Sequence, residues 1–347
     1  MTPTKYRFSK TTVDYYFDGS LKQLNKLADK KNAIIITDDN IFDAHLDKFK
    51  GWNVISLKPG EEYKVQATVD SVIDTMISMQ ADRKTTLIGV GGGVITDLTG
   101  YIASVFMRGI NFGFVPSSLL SMVDASIGGK NGIDVGEYKN MVGVIRQPAF
   151  LLYDFSLLKT LPDNCWSDGF AEIIKHACIK DAAAFSILQK ENIYSLQKNQ
   201  KQLTSIIKRN AELKTKVVQK DEFEKAERKL LNFGHTLGHA LETQYELTHG
   251  QAISIGMNYA CSLSEKLTGF KGSEKVRNVL QQYQLPVHAS FKMEKVLGIM
   301  KMDKKRVRKE MSYILLEKIG KGVIYNIDIS RLEKLLMSIH EEEKNEN

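Results

Sequence analysis

The chain has 347 residues, 43% of them hydrophobic and 26% charged, and its formal net charge is +7. This length predicts about two domains, and the composition is that of a globular protein rather than a disordered one. An apolar run of about 18 residues and an N-terminal apolar segment are both missing, which argues against a membrane span and a secretory signal. The three cysteines are far apart, which favours a reducing cytoplasm over a disulfide framework.

The first half of the sequence alternates between predicted strands and helices. Residues 32–40 and 52–60 are apolar, β-branched runs that end in turn residues, and residues 68–80 place apolar side chains at helical spacing. Residues 85–106 predict a strand, a glycine turn and a helix, and residues 110–120 predict a further strand. Such alternation indicates a mostly parallel α/β sheet.

The second half has a helical pattern from about Pro162, so we expect one domain over residues 1–162 and another over 163–347. Near its end lies a basic run, Lys301 to Lys309, which is typical either of a solvated surface or of a site for a polyanion. Aromatic residues do not alternate with these charges as they do in proteins that bind single-stranded nucleic acid, so we expect no nucleic-acid partner.

A glycine-rich segment, Gly89 to Asp97, reads GVGGGVITD. Its glycines follow a predicted strand and begin a predicted helix, where free N–H groups can bind phosphate and the backbone can approach a ligand closely. The spacing is not that of the usual dinucleotide fingerprint. A tight strand-to-helix turn without a ligand explains the segment equally well.

The segment from Ser121 to Asn140 is dense in small residues, and Gly128 and Gly129 precede Lys130. We interpret it as a loop that brings an ammonium group close to an anion, with an ordinary surface loop as the alternative.

Two segments contain candidate metal ligands. Glu172 lies in an apolar helical pattern, where a carboxylate is costly to bury unless it binds a cation or forms an ion pair with a neighbour such as Lys175. His235 and His239 are four residues apart, hence on one helix face, and His249 follows. Spacing alone favours His235 and His239 as the ligand pair, although core histidines are a common alternative. Histidines with one glutamate are typical of a catalytic metal site.

Between these segments, Arg228 precedes His235 by seven residues, about two turns if the helix is continuous, with Asn232 on the same side. The three side chains would then face one cleft. The charged run from Lys214 to His235 is also typical of a solvated helix face.

Taken together and in order, these segments resemble 3-dehydroquinate synthases, a family of sugar-phosphate cyclases. The resemblance rests on GGGVITD, FMRG, VDASIGGKNGID, AEIIKHACI and LNFGHTLGHALE, and it covers about Asn32 to Gly256, with a weaker match at MDKKRVRKEMSYILL. It implies an α/β, Rossmann-like, NAD-binding N-terminal domain, a mostly α-helical C-terminal domain and an active site in the cleft between them.

The resemblance also assigns site residues, and it overrules the ligand pair inferred from spacing. It implies that Glu172, His235 and His249 hold one divalent metal, zinc or cobalt, and that His239 is a catalytic partner instead. The other catalytic positions that it implies are Lys130, Asn140, Lys175 and Asp124. The positions matching NAD contacts are Asp38, Asn40, Glu61, Lys64, Gly92, Gly93, Asp97, Ser117, Ser118, Asp124, Lys139, Thr160 and Leu161.

Substrate contacts follow from the same resemblance. Lys214, Arg228 and Asn232 match residues that hold the substrate and its carboxylate, and either Lys304 or Lys305 faces it. Arg108, in FMRG, matches an arginine that reaches the neighbouring active site of a homodimer. Two segments depart from the family: IDVGEYKN stands for IDxPxGKN, and LPDNC stands for LPxRE, so Cys165 replaces a carboxylate near NAD.

The implied activity is the conversion of 3-deoxy-D-arabino-heptulosonate 7-phosphate to 3-dehydroquinate and phosphate, in the shikimate pathway of the cytoplasm. Two alternatives remain open. One is a cyclase for a sugar phosphate without a carboxylate, and the other is a metal-dependent, NAD-linked polyol dehydrogenase.

Overall fold

A computed structural model describes residues 1–136, 138–302 and 309–346. Lys304 and Lys305, one of which is predicted to face the substrate, lie outside the described residues. The chain forms two compact units. The first comprises Met1–Trp166 and Ile207–Phe223, and the second comprises Ser167–Ile206 and Glu224–Asn347.

A seven-stranded sheet forms the centre of the first unit. The strands of this unit are β1 (Thr4–Arg7), β2 (Thr12–Tyr16), β3 (Ala33–Asp38), β4 (Asn53–Leu57), β5 (Thr86–Gly91), β6 (Asn111–Pro116), β7 (Lys130–Val135), β8 (Tyr138–Ile145) and β9 (Phe150–Leu152). The sheet order is β1-β2-β9-β6-β5-β3-β4, and every pair is parallel except β1 with β2. Strands β3 and β5 are buried along almost their whole length, as expected of parallel strands with both faces covered.

Short helices follow the strands of this sheet: α1 (Asp39–Ala44), α2 (Leu46–Phe49), α3 (Gln66–Ser78) and α4 (Gly93–Val105). Leu24, Ile35, Ile88 and Leu152 belong to one buried core cluster. The later part of α8 (Gln200–Lys220) also packs in this unit, where Thr215 Oγ1 donates to the Tyr15 hydroxyl at 3.1 Å. Lys214 is thereby a residue of the sheet-containing unit.

The second unit is mostly helical. Its helices are α5 (Asp163–Lys180), which begins in the first unit, α6 (Ala182–Leu188), α7 (Ile193–Lys198), the first turns of α8, α9 (His235–Gln244), α10 (His249–Thr268), α11 (Ser273–Gln282), α12 (Met293–Met302) and α13 (Ile329–Glu346). An antiparallel hairpin, β10 (Glu310–Lys318) with β11 (Lys321–Asp328), precedes α13. Buried residues extend from Ala252 through Cys261 in α10, which therefore lies in the core. Among the described residues, the helices are too short or too polar to cross a membrane.

Two local expectations were wrong. The small-residue segment after Ser121 is not a plain loop, because after one helical turn it becomes the antiparallel hairpin β7–β8. Arg228 and His235 do not share one helix, because Glu227–Asn232 is a 3₁₀ helix and Gly234 is left-handed, with φ of 79°. The seven-residue spacing therefore does not align these side chains.

One buried ion pair ties the N-terminal segment of the first unit to its sheet. Asp154 follows β9, and its carboxylate contacts Lys48 Nζ at 2.7 Å and accepts from the Leu21 N–H at 2.9 Å. Burial raises the pKa of Asp154, but its hydrogen bonds with Lys48, Ser156 and Leu21 outweigh burial, so the pKa is lowered. The stabilisation is therefore present above the usual value of 3.8 and is lost as the pH falls through the lower, folded-state pKa.

We expect Asp154→Ala to lower the free energy of unfolding by about 3 kcal/mol at pH 7, since it leaves the Lys48 ammonium without its carboxylate. Urea unfolding of wild type and variant between pH 7 and pH 3 measures the difference, which should shrink as the pH falls through the folded-state pKa of Asp154. A difference that stays constant over that range would show that Asp154 does not act through its charge.

Candidate metal and cofactor sites

Three predicted metal ligands lie together in the second unit. Glu172 Oε1 is 3.5 Å from His235 Nε2 and 3.3 Å from His249 Nε2. Ligand atoms of these three residues all lie within 4.8 Å of one another, and Glu172 is fully buried. This brings together one carboxylate from α5 and one imidazole from the start of each of α9 and α10.

The backbone explains why both histidines begin helices that lie close together. Gly234, in its left-handed conformation, ends the 3₁₀ segment and allows α9 to begin at His235. Thr248 caps α10, accepting from the Gln251 N–H while the Gln251 side chain accepts from the Thr248 N–H. A Cβ on Gly256 would lie 1.9 Å from the Gly234 carbonyl oxygen, so only glycine permits this contact between α10 and the start of α9.

The two imidazoles are held by different partners. His235 Nδ1 lies 3.2 Å from the Phe233 carbonyl oxygen, so Nδ1–H donates and Nε2 presents a lone pair towards Glu172. Burial and the nearby Lys175 ammonium lower the pKa of His235 well below its usual value, so the ring is neutral. Burial also lowers the pKa of His249, but its hydrogen bonds to Glu172 and Glu242 outweigh burial and raise it to about 10.

These donors fit a divalent metal. One carboxylate and two imidazoles are ligands that zinc and cobalt accept, and three protein ligands leave positions for water or substrate. The alternative of a structural ion pair is also present, because Lys175 Nζ contacts Glu172 Oε2. Both interactions occur at once, since the histidines face Oε1 and the lysine contacts Oε2.

His239 lies beside this cluster rather than in it. Its ring centroid is 5.0 Å from that of His235 and 6.4 Å from that of His249, and its side chain is exposed. The structure therefore groups Glu172 with His235 and His249, and not with the pair that i, i+4 spacing alone favours.

Predicted NAD contacts in the first unit meet at one edge of the sheet. Asp38 ends β3, Gly92 follows β5, and Ser117 and Ser118 follow β6. These strands are parallel. From β3 the chain moves to β4 on one side, and then crosses back to add β5 and β6 on the other side, so the direction in which strands are added reverses between β3 and β5. In open α/β sheets, ligands bind outside the carboxyl ends of strands at such a reversal.

The glycines at this edge have separate roles. A Cβ on Gly91 would lie 2.5 Å from Ile95 Cβ, so this glycine is needed for packing. A Cβ on Gly92 would meet only Ser118 Oγ, at 3.6 Å, and Gly92 caps α4. Gly92 and the N–H groups that begin α4 therefore suit a phosphate of a dinucleotide.

Lys64 connects several other predicted positions in the first unit. Its buried Nζ lies 2.7 Å from Asp97 Oδ2, 2.7 Å from Asn140 Oδ1 and 3.6 Å from Glu61 Oε1. Burial lowers the pKa of Lys64, but Asp97 and Glu61 outweigh it and raise the pKa, so the ammonium stays charged. Asp134 Oδ1 accepts from the Asn140 N–H at 2.6 Å, which helps to hold Asn140 at φ of 56°.

The remaining predicted positions of the first unit occupy several elements. Lys214 Nζ contacts Asp124 Oδ1 and its carbonyl oxygen, each at 2.7 Å, and Thr160 Oγ1 lies 2.9 Å from His45 Nε2. Lys130 begins β7 with an exposed side chain, and Arg108 is exposed after α4. The other positions are Asn40 in α1, Lys139 in β8 and Leu161 at the end of a 3₁₀ helix.

In the second unit, the predicted substrate residues lie just before α9. Arg228 is buried, and Asn232 Nδ2 donates to Glu224 Oε1 at 2.6 Å. The sequence patterns did not single out Asp168 and Glu242, two carboxylates that contact His249 or the residue after it. Both were within reach of the pattern, since Asp168 precedes Glu172 by one helical turn and Glu242 lies three residues after His239.

Known proteins match this chain in both halves. A model of the 3-dehydroquinate synthase N-terminal region matches residues 54–168, and one of the C-terminal region matches residues 169–306. The 3-dehydroquinate synthase of Methylacidiphilum infernorum is 40% identical over 317 residues, which cover 87% of this chain and 86% of that protein. That of Campylobacter concisus is 36% identical over 335 residues, which cover 92% and 94%.

The chain belongs to the 3-dehydroquinate synthase family. The resemblance inferred from the sequence is thereby confirmed, and so is the expectation of an enzyme.

Solved structures share the fold of this 3-dehydroquinate synthase family member. A 2-epi-5-epi-valiolone synthase from Streptomyces hygroscopicus, with NAD+ and Zn2+ bound, aligns with a TM-score of 0.86 at 24% identity, over 97% of this chain and 99% of that one. A 2-deoxy-scyllo-inosose synthase complexed with carbaglucose-6-phosphate, NAD+ and Co2+ aligns with a TM-score of 0.82 at 23% identity, over 96% and 99%. The predicted fold class is confirmed by these alignments.

The metal ligands can be tested by substitution. We expect His235→Ala to lose bound metal, because it removes a lone pair that faces Glu172, whereas the matched variant His239→Ala should keep the metal and lose rate. Metal content per protein chain, measured by plasma mass spectrometry after dialysis, checks this expectation. Loss of metal from His239→Ala, with retention in His235→Ala, would mean that the i, i+4 pair is the true ligand set.

Proposed function

We propose that this protein is a 3-dehydroquinate synthase. It converts 3-deoxy-D-arabino-heptulosonate 7-phosphate to 3-dehydroquinate and phosphate by transient oxidation, phosphate elimination, reduction and intramolecular aldol closure. The observation that carries the proposal is the cluster of Glu172, His235 and His249, in a chain that matches family relatives through both halves. Because the substrate is a small sugar phosphate, the net charge of +7 needs no nucleic acid to explain it.

The cofactors divide between the two units. Asp38, Gly92 and Ser118 lie at the sheet edge that suits NAD, and Glu172, His235 and His249 hold one zinc or cobalt ion. When bound, NAD supplies a reversible hydride acceptor, and the metal supplies a Lewis acid for carbinol and ketone oxygens. The protein contributes position and charge around the reacting carbons.

Two side chains beside the metal ligands are suited to act on the substrate, one by stabilising negative charge and the other by exchanging a proton. Lys175 is 1% exposed and lies one turn from Glu172, so its ammonium stabilises negative charge on substrate oxygens. His239 is exposed and stands next to His235, which suits an imidazole that exchanges a proton with a substrate hydroxyl. Asp124, paired with Lys214, fixes the direction of that lysine.

Binding of the substrate requires charges for a phosphate and a carboxylate. We assign the carboxylate to Arg228 and Lys214, with Asn232 as a neutral partner, and the phosphate to Lys130, Asn140 and one lysine of the basic run. Both Arg228 and Lys214 are buried, so their charge-assisted hydrogen bonds to an anion are little screened by water. The alternative, a cyclase whose substrate lacks a carboxylate, assigns no substrate group to Arg228 and Lys214.

We further propose a cytoplasmic homodimer in which Arg108 reaches the neighbouring active site. Tyr138 and Met141 of β8 are 60% and 63% exposed, and Met107 beside Arg108 is 43% exposed, which leaves apolar surface for a second copy. Met107 and Arg108 both have left-handed backbone, with φ of 48° and 66°, a conformation that costs about 1–3 kcal/mol per residue and is commonest at functional positions. Cys178 and Cys261 are buried free thiols, which fits a reducing compartment.

Cofactor turnover separates a cyclase from a polyol dehydrogenase. The folds are related: a probable glycerol dehydrogenase from Sinorhizobium meliloti aligns with a TM-score of 0.60 at 15% identity, over 93% of this chain and 94% of that one. With the heptulosonate phosphate as substrate, we expect inorganic phosphate to rise linearly while absorbance from NADH stays flat. Deuterium at the oxidised carbon should be retained in the product, because the same hydride returns. NADH that accumulates in step with substrate loss would favour the dehydrogenase.

The carboxylate assignment makes a second test. Arg228→Ala should lower kcat/KM for the heptulosonate phosphate by about 30- to 5000-fold, since removing one partner of a desolvated charged pair costs about 2–5 kcal/mol. Its neighbour Lys229, only half-buried, provides the matched control Lys229→Ala, which should stay within about twofold of wild type. Normal turnover by Arg228→Ala would place the carboxylate elsewhere and favour a substrate without one.

A further inference from the structure

One carboxylate of α5 bonds to the residues on both sides of His249. Asp168 Oδ1 accepts from the Thr248 hydroxyl at 2.5 Å and from the Gly250 N–H at 2.9 Å. A Cβ on Gly250 would lie 2.5 Å from the Asp168 Cα, so α10 begins in direct contact with α5. Since Glu172 follows Asp168 by one helical turn, the same stretch of α5 carries a metal ligand and fixes the backbone of another.

A second carboxylate contacts the imidazole of His249 itself. Glu242 Oε1, on α9, lies 3.6 Å from His249 Nδ1, while His249 Nε2 faces Glu172 Oε1 at 3.3 Å. The side chain of Glu242 is 9% exposed. A carboxylate near one ring nitrogen keeps the hydrogen on that nitrogen, so a metal that displaces the proton of the other nitrogen binds to its lone pair.

His235 is held in another way. Its Nδ1 donates to a backbone carbonyl, that of Phe233 two residues earlier, and the left-handed Gly234 between them forms the turn. No side chain is needed for that bond. The two imidazoles thus differ at Nδ1 in a way that substitution can test, because Nδ1 of His249 faces a carboxylate from another helix and Nδ1 of His235 faces a backbone carbonyl group.

We propose that Asp168 and Glu242 are positioning residues that hold His249 in place for the metal, Asp168 through the start of α10 and Glu242 through Nδ1. The inference rests on the proposed role of Glu172, His235 and His249 as ligands. Asp168 fixes the position of the backbone at His249, and Glu242 fixes the rotation and the tautomer of its imidazole. Neither carboxylate oxygen is itself assigned to the metal.

The experiment measures zinc affinity of the full chain by competition with a chromophoric chelator, without substrate or NAD. We expect Asp168→Ala and Glu242→Ala each to weaken zinc binding by about 10- to 100-fold, the usual effect of removing such a partner. Asp168→Asn keeps an acceptor oxygen for Thr248 and Gly250 and should recover most of the affinity. With cobalt in place of zinc, Glu242→Ala should also shift the visible absorption bands, because the imidazole rotates.

A matched control removes a helix cap elsewhere in the same unit. Asn192 and Ser195 form a capping box at α7, as Thr248 and Gln251 do at α10. Asn192→Ala should cost comparable stability and leave zinc affinity and the cobalt spectrum unchanged. If it weakens zinc as much as Asp168→Ala does, then loss of stability, and not positioning of His249, explains both effects, and the proposal is wrong.

Two further outcomes are distinguishable. Wild-type affinity in both Asp168→Ala and Glu242→Ala, with loss of zinc in His249→Ala, would refute the positioning role and leave the ligand set intact. Failure of the wild-type chain to bind zinc or cobalt would refute the ligand set and with it the proposed function.

Discussion

The site in the second unit depends on a fully buried carboxylate, that of Glu172. Moving an ionised carboxylate away from water costs several kcal/mol unless other groups replace the lost hydration. Here Lys175 contacts one carboxylate oxygen and His249 contacts the other, whereas the neutral His235 faces that second oxygen with a lone pair and compensates its charge only through a bound cation. Each of these groups comes from a segment whose backbone is fixed by its own contacts, so the cost of burying Glu172 is offset only when α5, α9 and α10 are all in place.

The close approach of α9 and α10 follows from the same requirement. Two imidazoles can face one oxygen only if the helix starts that carry them lie a few ångströms apart. Gly256 permits this, since a side chain there would overlap the Gly234 carbonyl group. Gly234 provides the left-handed turn before His235, so two glycines in contact, Gly256 and Gly234, serve the packing and the direction of a ligand. The glycines of this segment therefore belong to the site as much as its histidines do.

Local patterns predicted the elements well where one physical rule dominated. The apolar run at residues 32–40 became β3, which is buried on both faces, and the glycine segment became the turn between β5 and α4, because such burial and glycine turns leave clear patterns. The run at residues 52–60 also became a strand, β4, but this strand lies at the edge of the sheet and is only partly buried. The ligand set needed more than spacing. His235 and His239 share a helix face, but His249 faces Glu172 from a different helix. Spacing does not show this contact, so the choice between the two sets came first from the family resemblance and then from the structure.

Other parts of the fold could not have been read from the sequence because they depend on distant contacts. Periodicity shows that residues 200–220 are helical, but it does not show that the later turns pack beside Tyr15 in the sheet-containing unit. The same is true of the hairpin β7–β8. Its small residues are typical of a loop, and only the antiparallel pairing of Lys130 with Ile145 through Ile133 with Val142 shows the two strands. Lys214 lies in those later turns of α8. The charge pattern alone is typical of a solvated helix face, but in the structure Lys214 is a buried cation beside Asp124.

The charges of the two units are arranged in contrasting ways, and this fits a reaction with two cofactors. At the sheet edge, Lys64 is surrounded by Glu61, Asp97 and Asn140, so its charge is balanced by the protein before any ligand arrives. A cluster balanced in this way adds little net attraction for a phosphate. In the second unit, three carboxylates lie at or next to His249, those of Glu172, Glu242 and Asp168. Negative charge in this arrangement favours a divalent cation, and a bound cation would attract an anionic substrate.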